Sequence, residues 1–369
     1  MCHLTSRYNR HVTLSSSKPK TGPKLAKRTP EIEAIDALFS IAGLTRNRRG
    51  KPAGITRQLR MERAMPQELQ KPAPEPRVAA NGLPFIAVPA WGKMPWLWHG
   101  FSTRKGGVSR AYCADDAPGE LNLGFTAADD RENVTRNRRL FAEAITGSPD
   151  TPLVTLRQVH SNVVVVAGAA DARRERPRKG DGVMTAEPGI LLAVQTADCI
   201  PVLVADRKRR VVAAFHAGWR GTVKRIVETG IGRMRFEFGS RPEDLVAAIG
   251  PGIGVCCYAV GDEVLSIFES QFSYARLLFR EVYDSDPVRT RYPMLFLTQR
   301  APGHSPIGPS LHVDLIEANR RQLLDAGLKA SAISVVGGCT SCQRELFFSH
   351  RASRGHAGRM MSVIGIRPR

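Results

Sequence analysis

Two side chains able to hold a metal ion fall at the open end of one hairpin pattern. The segment Gly189–Gly221 contains two apolar runs, Ile200–Ala205 and Val211–His216, flanking the polar stretch Asp206–Arg210. Apolar runs around a short polar connection predict an antiparallel β-hairpin. A turn centred there pairs residues whose numbers sum to about 416, so Ile200 faces His216 and Cys199 lies beside that pair. Cross-strand neighbours sit about 4.5–5.5 Å apart, close enough to share one ion. Cys sulfur and His nitrogen are both zinc ligands, and His160, which opens the β-branched run HSNVVVVA, is the candidate third donor. Three protein donors leave a fourth tetrahedral position for water or substrate, the pattern of a catalytic metal. The same residue types also serve as ordinary core residues, Cys as a small hydrophobe and His as a hydrogen-bonded partner. Spacing alone leaves both readings open.

The residues after His216 add a second feature. Ala217-Gly218-Trp219-Arg220-Gly221 leads into a helical pattern over Thr222–Phe236. A helix start offers free N–H groups to an anion, Arg220 a guanidinium, and Trp219 a flat apolar surface for a base. The alternative is a plain strand-to-helix turn with Trp219 plugging the core. Asp198 is the carboxylate nearest these groups in sequence and the candidate acid/base. Further anion contacts are Arg104 in STRKGG, Arg157 in RQVH and Arg351 in FFSHR. Phe348 is a candidate ring for a base to stack on, with a core position as the alternative. Asn122 in LNLG either touches substrate or pins its loop through side chain–backbone bonds. Gly250-x-Gly252-x-Gly254 lacks dinucleotide-loop spacing, and there is no P-loop or G-x-S-x-G elbow. Cys339-Thr340-Ser341-Cys342 has no second pair at zinc-ribbon spacing and reads as incidental thiols.

The elements that must position these residues begin late in the chain. Of 369 residues, 42% are hydrophobic, enough for a packed core, and no run of about 18 apolar residues predicts a membrane helix. Seven cysteines are too few for a disulfide framework and suggest a reducing, cytoplasmic setting. The net charge is +20, and residues 1–80 alone hold 16 Lys+Arg against 6 Asp+Glu. That uneven division is not that of a uniformly basic nucleic-acid-binding domain. Residues 1–80 read as a basic, Pro-rich, mostly disordered extension with one short helix over 31–44. The extension is a solvated linker or the product of a start codon placed too early, with Met61 or Met65 as later starts, a targeting peptide, or a charge-driven contact with RNA or a membrane surface. From 81 to 369 the chain reads as a single catalytic domain. Strands are expected at Phe85–Val88, Trp96–Phe101, His160–Ala167 and Ala332–Val336, and helices at Asp130–Ala144 and Asp314–Ala326. This mixture predicts an α+β fold with mixed sheets flanked by helices.

The motifs together resemble a known family. TADC at Thr196–Cys199 and HAGWRG at His216–Gly221 are accompanied by HGFSTRKGGVS at His99–Ser109 and LNLG at Leu121–Gly124. DDRENVTRNRRL at Asp129–Leu140, RQVH at Arg157–His160, IGPGIGVCCYAVGDEV at Ile249–Val264, HVDL at His312–Leu315, Cys339-Thr340 and FFSHR at Phe347–Arg351 complete the series. In this order they resemble the laccase-domain, or multicopper polyphenol oxidase, family, over about residues 83–367. Its members are described as purine nucleoside phosphorylases with adenosine deaminase activity. The resemblance implies a metal held by His160, Cys199 and His216, and a layered α/β fold. It departs from the family where GPCIG becomes Gly250-Pro251-Gly252-Ile253-Gly254, where CCYEV becomes Cys256-Cys257-Tyr258-Ala259-Val260, and where FFSYRRD becomes Phe347–Ser353. Those losses bear on substrate preference, since all three ligand positions are intact. A four-copper oxidase needs about ten His ligands, commonly in His-x-His pairs, and the chain has nine His and no such pair.

The expected activity is therefore metal-dependent phosphorolysis of adenosine, inosine and methylthioadenosine, with adenosine deamination. Zn²⁺ is the expected cofactor, copper the other possible occupant, and inorganic phosphate the co-substrate. Partners are small purine nucleosides, with no membrane, and nucleic acid only through the basic tail. Two other classes stay open: a metal- or thiol-dependent hydrolase of peptidoglycan precursors using Cys199, and a non-enzymatic RNA-binding protein using the tail.

Overall fold

A computed structural model describes residues 75–113, 117–282 and 310–369. The expected helix over 31–44 and most of the expected extension lie outside the described residues. Strand pairing reaches back to Arg77–Val78, which lies antiparallel to Pro84–Ile86.

Two six-stranded mixed sheets carry the fold. One runs in the order Arg77–Val78, Pro84–Ile86, Leu97–Ser102, Met360–Ile366, Leu191–Thr196, Leu153–Thr155. The other runs Ile333–Val335, Leu245–Ile249, Ile200–Asp206, Val212–Ala217, Gly182–Thr185, Val164–Val166. A three-stranded sheet of Ala259–Val260, Ser310–Val313 and Phe279–Val282 stands apart. Leu203, Ala205, Val212 and Ala214 of the second sheet pack on Phe101, Leu192, Val194 and Ile364 of the first. The opposite face of the second sheet, with Val202, Val204, Ala213 and Phe215, is covered by Val227, Ile231 and Met234 of the helix Ile226–Phe238 and by Leu323 of Leu315–Asp325. The outer face of the first sheet, with Leu191, Ala193 and Val363, is covered by Phe141 and Ala142 of the helix Arg131–Thr146. The layers are thus helix, sheet, sheet, helix. Strands buried on both faces must be apolar throughout, which is why Ile200–Asp206 and Val212–Ala217 read as unbroken apolar runs.

The α+β expectation with flanking helices holds, with local differences. The hairpin register is displaced by one residue, so His216 faces Pro201 and Ala217 faces Ile200. The turn explains the shift. Asp206 stays in the strand, where its Oδ1 accepts from the amides of Lys208 and Arg209, and Arg210 takes a left-handed φ of 52°. His160 opens no strand, since that strand is only Val164–Val166. The helix expected over Thr222–Phe236 is two helices, Trp219–Val223 and Ile226–Phe238, broken where Arg225 has φ 58°.

Phe215, the neighbour of His216, is wedged between Gly230 of the helix and Gly182 of the adjacent strand. A Cβ on Gly230 would lie 2.2 Å from its ring, and one on Gly182 would lie 2.9 Å from it. Gly230→Ala is therefore expected to cost about 1–3 kcal/mol by overpacking, measured by urea unfolding. His99 accepts a hydrogen bond at Nε2 from the Val88 amide, and burial pushes its pKa down to about 4. The unfolded chain takes up that proton near 6.5, the folded one does not. This stability is complete above 6.5 and is lost as pH falls toward 4. His99→Gln, which keeps an acceptor, should flatten the acid limb of a urea-midpoint-versus-pH curve.

Candidate metal centre

Three donors converge at one end of the hairpin. The ligand atoms of His160, Cys199 and His216 all lie within 4.8 Å of one another. Cys199 Sγ is 3.9 Å from His160 Nε2, and the two imidazole rings meet edge-on with centroids 4.9 Å apart. His216 is buried, Cys199 half-buried and His160 exposed, so the set opens to the surface on one side.

Each donor is placed by its element. His216 sits in the last turn of pleat of Val212–Ala217, and Cys199 immediately precedes the partner strand. The displaced register brings Cys199 opposite Gly218, where a Cβ would come 2.8 Å from its sulfur and 3.0 Å from the His160 ring. The missing side chain is the space that lets thiol and imidazole approach. His160 reaches the same point from a tight turn with φ 57°.

That turn is organised by Asp181, a residue not singled out from the sequence. Its fully buried carboxylate accepts from the amides of His160 at 3.0 Å and Ser161 at 2.7 Å, and from Ser161 Oγ at 2.6 Å. It also accepts from the Val159 amide and pairs with His216 Nδ1 at 2.9 Å. Occupying Nδ1 in this way leaves Nε2 of His216 for an ion. The main chain repeats the link, since the His216 amide donates to the Asp181 carbonyl at 2.7 Å. The available signal was an acid flanked by Gly180 and Gly182 at the entrance to a wholly buried strand.

The electrostatics suit a cation. Burial opposes the charged His216 ring, but the Cys199 thiolate and the Asp181 hydrogen bond outweigh it and push its pKa up to about 9. Burial likewise resists the Cys199 thiolate, yet the His216 charge and hydrogen bonds from both imidazoles pull it down to about 6. Burial also opposes ionisation of Asp181, and the His216 and Ser161 hydrogen bonds overcome it, holding the acid well below the usual carboxylate range. The thiolate is the form a metal takes, and a bound ion would replace the proton on His216 Nε2. Two nitrogens, one sulfur and an open side fit a zinc-type site.

The other expected site residues divide. Arg351 and Arg220 are exposed, Arg351 over the ring of Tyr258 at 5.1 Å and Arg220 over that of Trp219 at 4.2 Å. Trp219 is itself half-buried against the core. Arg157 is exposed on the turn leading to His160. Tyr258, a second residue the sequence reading passed over, is pushed up to about 12, first by burial and then by the charge of Cys199, with Arg351, Asp198 and Arg220 also acting on it. It therefore belongs to this neighbourhood.

Two residues take the second of the readings open to them, and two expectations change. Phe348 is 1% exposed and packs in the core between Tyr112 and Arg104, so no base can stack on it there. Asn122 is fully buried and pins its loop, bonding Gly124, Asp129 and the Arg359 amide. Arg104 is committed to Glu120 at 2.5 Å and to the carbonyl of Arg344 at 2.8 Å. Asp198 has φ 88°, and its carboxylate accepts from Thr340 Oγ1 and the Arg351 amide, both at 2.6 Å. That makes it a tie between loops, with one oxygen taken by each bond. The helix start after His216 is only five residues long, too short for a strong macrodipole. Two surface hollows of about 240 and 250 Å³ lie elsewhere, neither lined by any of the three donors. No helix among the described residues is long and apolar enough to cross a membrane.

Asp181→Asn should lower zinc affinity by about 10–100-fold, the usual cost of losing a carboxylate behind a ligating imidazole. Competition against a chromophoric chelator reads this, and unchanged affinity would remove Asp181 from the site.

Comparison with known proteins gives a consistent answer. Residues 98–367 match the family described as multi-copper polyphenol oxidoreductase laccase. The chain is 36% identical over 275 residues to the purine nucleoside phosphorylase YlmD of Geobacillus stearothermophilus, covering 73% of this chain and 89% of that one. It is 32% identical over 271 residues to an adenosine deaminase from an unknown prokaryotic organism, covering 72% and 92%. The crystal structure of YlmD from Geobacillus stearothermophilus matches with a TM-score of 0.63 at 32% identity, over 79% of this chain and 99% of that one. The layered sheets, the donor set and these matches agree: the chain belongs to the multi-copper polyphenol oxidoreductase laccase family.

Proposed function

We propose that the protein is a metal-dependent purine nucleoside phosphorylase acting on adenosine, inosine and methylthioadenosine, with adenosine deaminase activity. The observation that carries this reading is the convergence of His160, Cys199 and His216 on one point with an open side. The names of the relatives supply the substrate class, purine nucleoside phosphorylase in one case and adenosine deaminase in another. The catalytic unit is the expected 81–369 together with the strand Arg77–Val78, which joins its first sheet, and the extension ends before that strand. The six cysteines of the described residues are free thiols, in keeping with work in the cytoplasm.

In phosphorolysis a phosphate oxygen bonds to the ribose C1′ as the bond from C1′ to the purine nitrogen breaks. The electron pair leaves with the base, which is then protonated. A bound Zn²⁺ supplies the Lewis acid that favours this charge and, for deamination, the activation of water. The remaining tasks fall to the chain. Asp181 holds His216 by Nδ1 and the His160 turn by its amides, so the donors keep their places as charge develops. Arg157, Arg220 and Arg351 are exposed guanidiniums suited to phosphate, Arg351 steadied by its bond to the Ala259 carbonyl, whereas Arg104 is ion-paired with Glu120. Trp219 and Tyr258 offer flat surfaces beside them for the purine. Asp198 acts as a positioning residue, since its bond to the Arg351 amide sets where that side chain starts.

Chromatographic assay of inosine with phosphate should show hypoxanthine and ribose 1-phosphate, and no hypoxanthine when phosphate is omitted. His160 is exposed, so His160→Ala removes a ligand without opening the core. A fall in kcat/KM of about 100-fold or more is expected there and after chelation, restored in wild type by zinc. Equal turnover in wild type and His160→Ala sinks the metal mechanism.

A further inference from the structure

Four cysteines form a second cluster that the reaction above does not use. Cys256 and Cys257 lie in the loop after Gly250, and Cys339 and Cys342 in the loop after the strand Ile333–Val335. Their sulfurs all lie within 4.8 Å of one another, with Cys342 Sγ 3.5 Å from that of Cys256 and 3.4 Å from that of Cys257. The sequence presented Cys339 and Cys342 as a pair without a partner pair. The fold supplies the partner, because the adjacent strands Leu245–Ile249 and Ile333–Val335 run parallel and deliver both loops to the same end of the sheet.

We propose that Cys256, Cys257, Cys339 and Cys342 form a closed tetrathiolate centre for one zinc-class divalent cation, separate from the His160–Cys199–His216 site. Sulfurs about 2.3 Å from a tetrahedral zinc stand about 3.8 Å apart, close to the spacing found here. Disulfide sulfurs lie at about 2.05 Å, and neither of these two separations approaches that. An iron–sulfur cluster interposes several irons and sulfides and would spread the four sulfurs beyond this spacing. Soft thiolates select zinc over magnesium or calcium. Four protein ligands leave no open position, so the centre is structural.

The surroundings are built for such a centre. The Gly254 amide donates to Cys339 Sγ at 3.2 Å, the kind of contact that steadies a ligating thiolate. A Cβ on Gly254 would stand 3.2 Å from Cys256 Sγ and from Cys339 Cβ, so glycine is what lets the loops close. Gly252 bridges to Cys339, and the Thr340 amide donates to the Gly252 carbonyl at 3.0 Å. Four thiolates at this spacing repel one another, and a divalent cation is what offsets that repulsion. The centre also reaches the first site. Tyr258 follows Cys257, and Thr340, between the other two ligands, holds Asp198 next to Cys199. One ion would clamp both walls of the open side.

The test uses the full chain purified under reductant, loaded with Zn²⁺ or Co²⁺ and desalted, with metal counted by mass spectrometry. Wild type should hold about two equivalents, and His160→Ala and Cys342→Ser about one each. Cys342 is the exposed member of the cluster, which makes it the mildest substitution. With Co²⁺, His160→Ala should keep strong near-ultraviolet sulfur-to-cobalt absorption and tetrahedral visible bands. Cys342→Ser should lose most of that absorption while its circular dichroism stays that of wild type. If Cys342→Ser proves unfolded, the cobalt spectrum and metal content of His160→Ala still decide. Metal-free His160→Ala after loading overturns the proposal, as does a thiol count two short of the seven cysteines in wild type purified without reductant and denatured with chelator, which would mean a disulfide. Loss of activity in His160→Ala with its metal retained leaves the two sites distinguishable.

Discussion

The buried carboxylate of Asp181 is the constraint on which the candidate site depends. It lies at the end of the Gly182–Thr185 strand, beside the strand that carries His216, and it collects donors from two places that are distant in sequence. From one side come the amides of the His160 turn, from the other the imidazole of His216. A buried charge is tolerable only when its hydrogen bonds are made, so the carboxylate cannot keep its partners without bringing both imidazoles to the same spot. The left-handed His160 and the sealed position of His216 are two consequences of one ionised group.

The layered architecture explains why that group can be held so firmly. The hairpin of Ile200–Asp206 and Val212–Ala217 is covered by a sheet on one face and helices on the other, so its strands have no freedom to slide. Behind it the helix Leu315–Asp325, capped by Asp314 on the Glu317 amide, fastens the turn after His216. Asn319 Nδ2 donates to Thr222 Oγ1, and Gln322 Nε2 to the Thr222 carbonyl. The segment that would bear on a substrate is thereby anchored from its buried side, with Trp219 half-buried against the core and Arg220 exposed.

Much that looks like chemistry in the motifs is scaffolding. Asn137 of the helix Arg131–Thr146 accepts from the Val108 amide and donates to Ser109, Glu120 and Asn122, which locks three motifs together. Arg104 and Phe348 complete the same packing, the guanidinium lying 4.7 Å from the ring centroid. Polar residues spent in this way leave few groups for the reaction, and the exposed ones cluster on the loops around Cys199. The two thiol-bearing centres differ in kind for a simple reason: mixed nitrogen and sulfur donors with one side open can exchange a ligand, while four sulfurs enclosing a point cannot.

The hairpin, the closeness of its Cys and His, and the long helices over Arg131–Thr146 and Leu315–Asp325 were legible in the residues, because apolar periodicity and turn chemistry are local, while His160 as third donor was a candidate that the family resemblance supported. The register was missed by one residue because it depends on Asp206 bonding its own turn, a side-chain choice invisible to spacing. The break at Arg225 was missed because a periodic apolar face continues across it. Asp181 left only the faint signal of its flanking glycines, and Tyr258 and the meeting of Cys256–Cys257 with Cys339 and Cys342 left none, since these contacts join residues tens of positions apart. Sequence alone determined which donors the chain owns and which strands they flank. Tertiary structure decided which of them meet, because burying the sheets on both faces fixes which loops share an end, and the need to satisfy each buried charge fixes where those loops point.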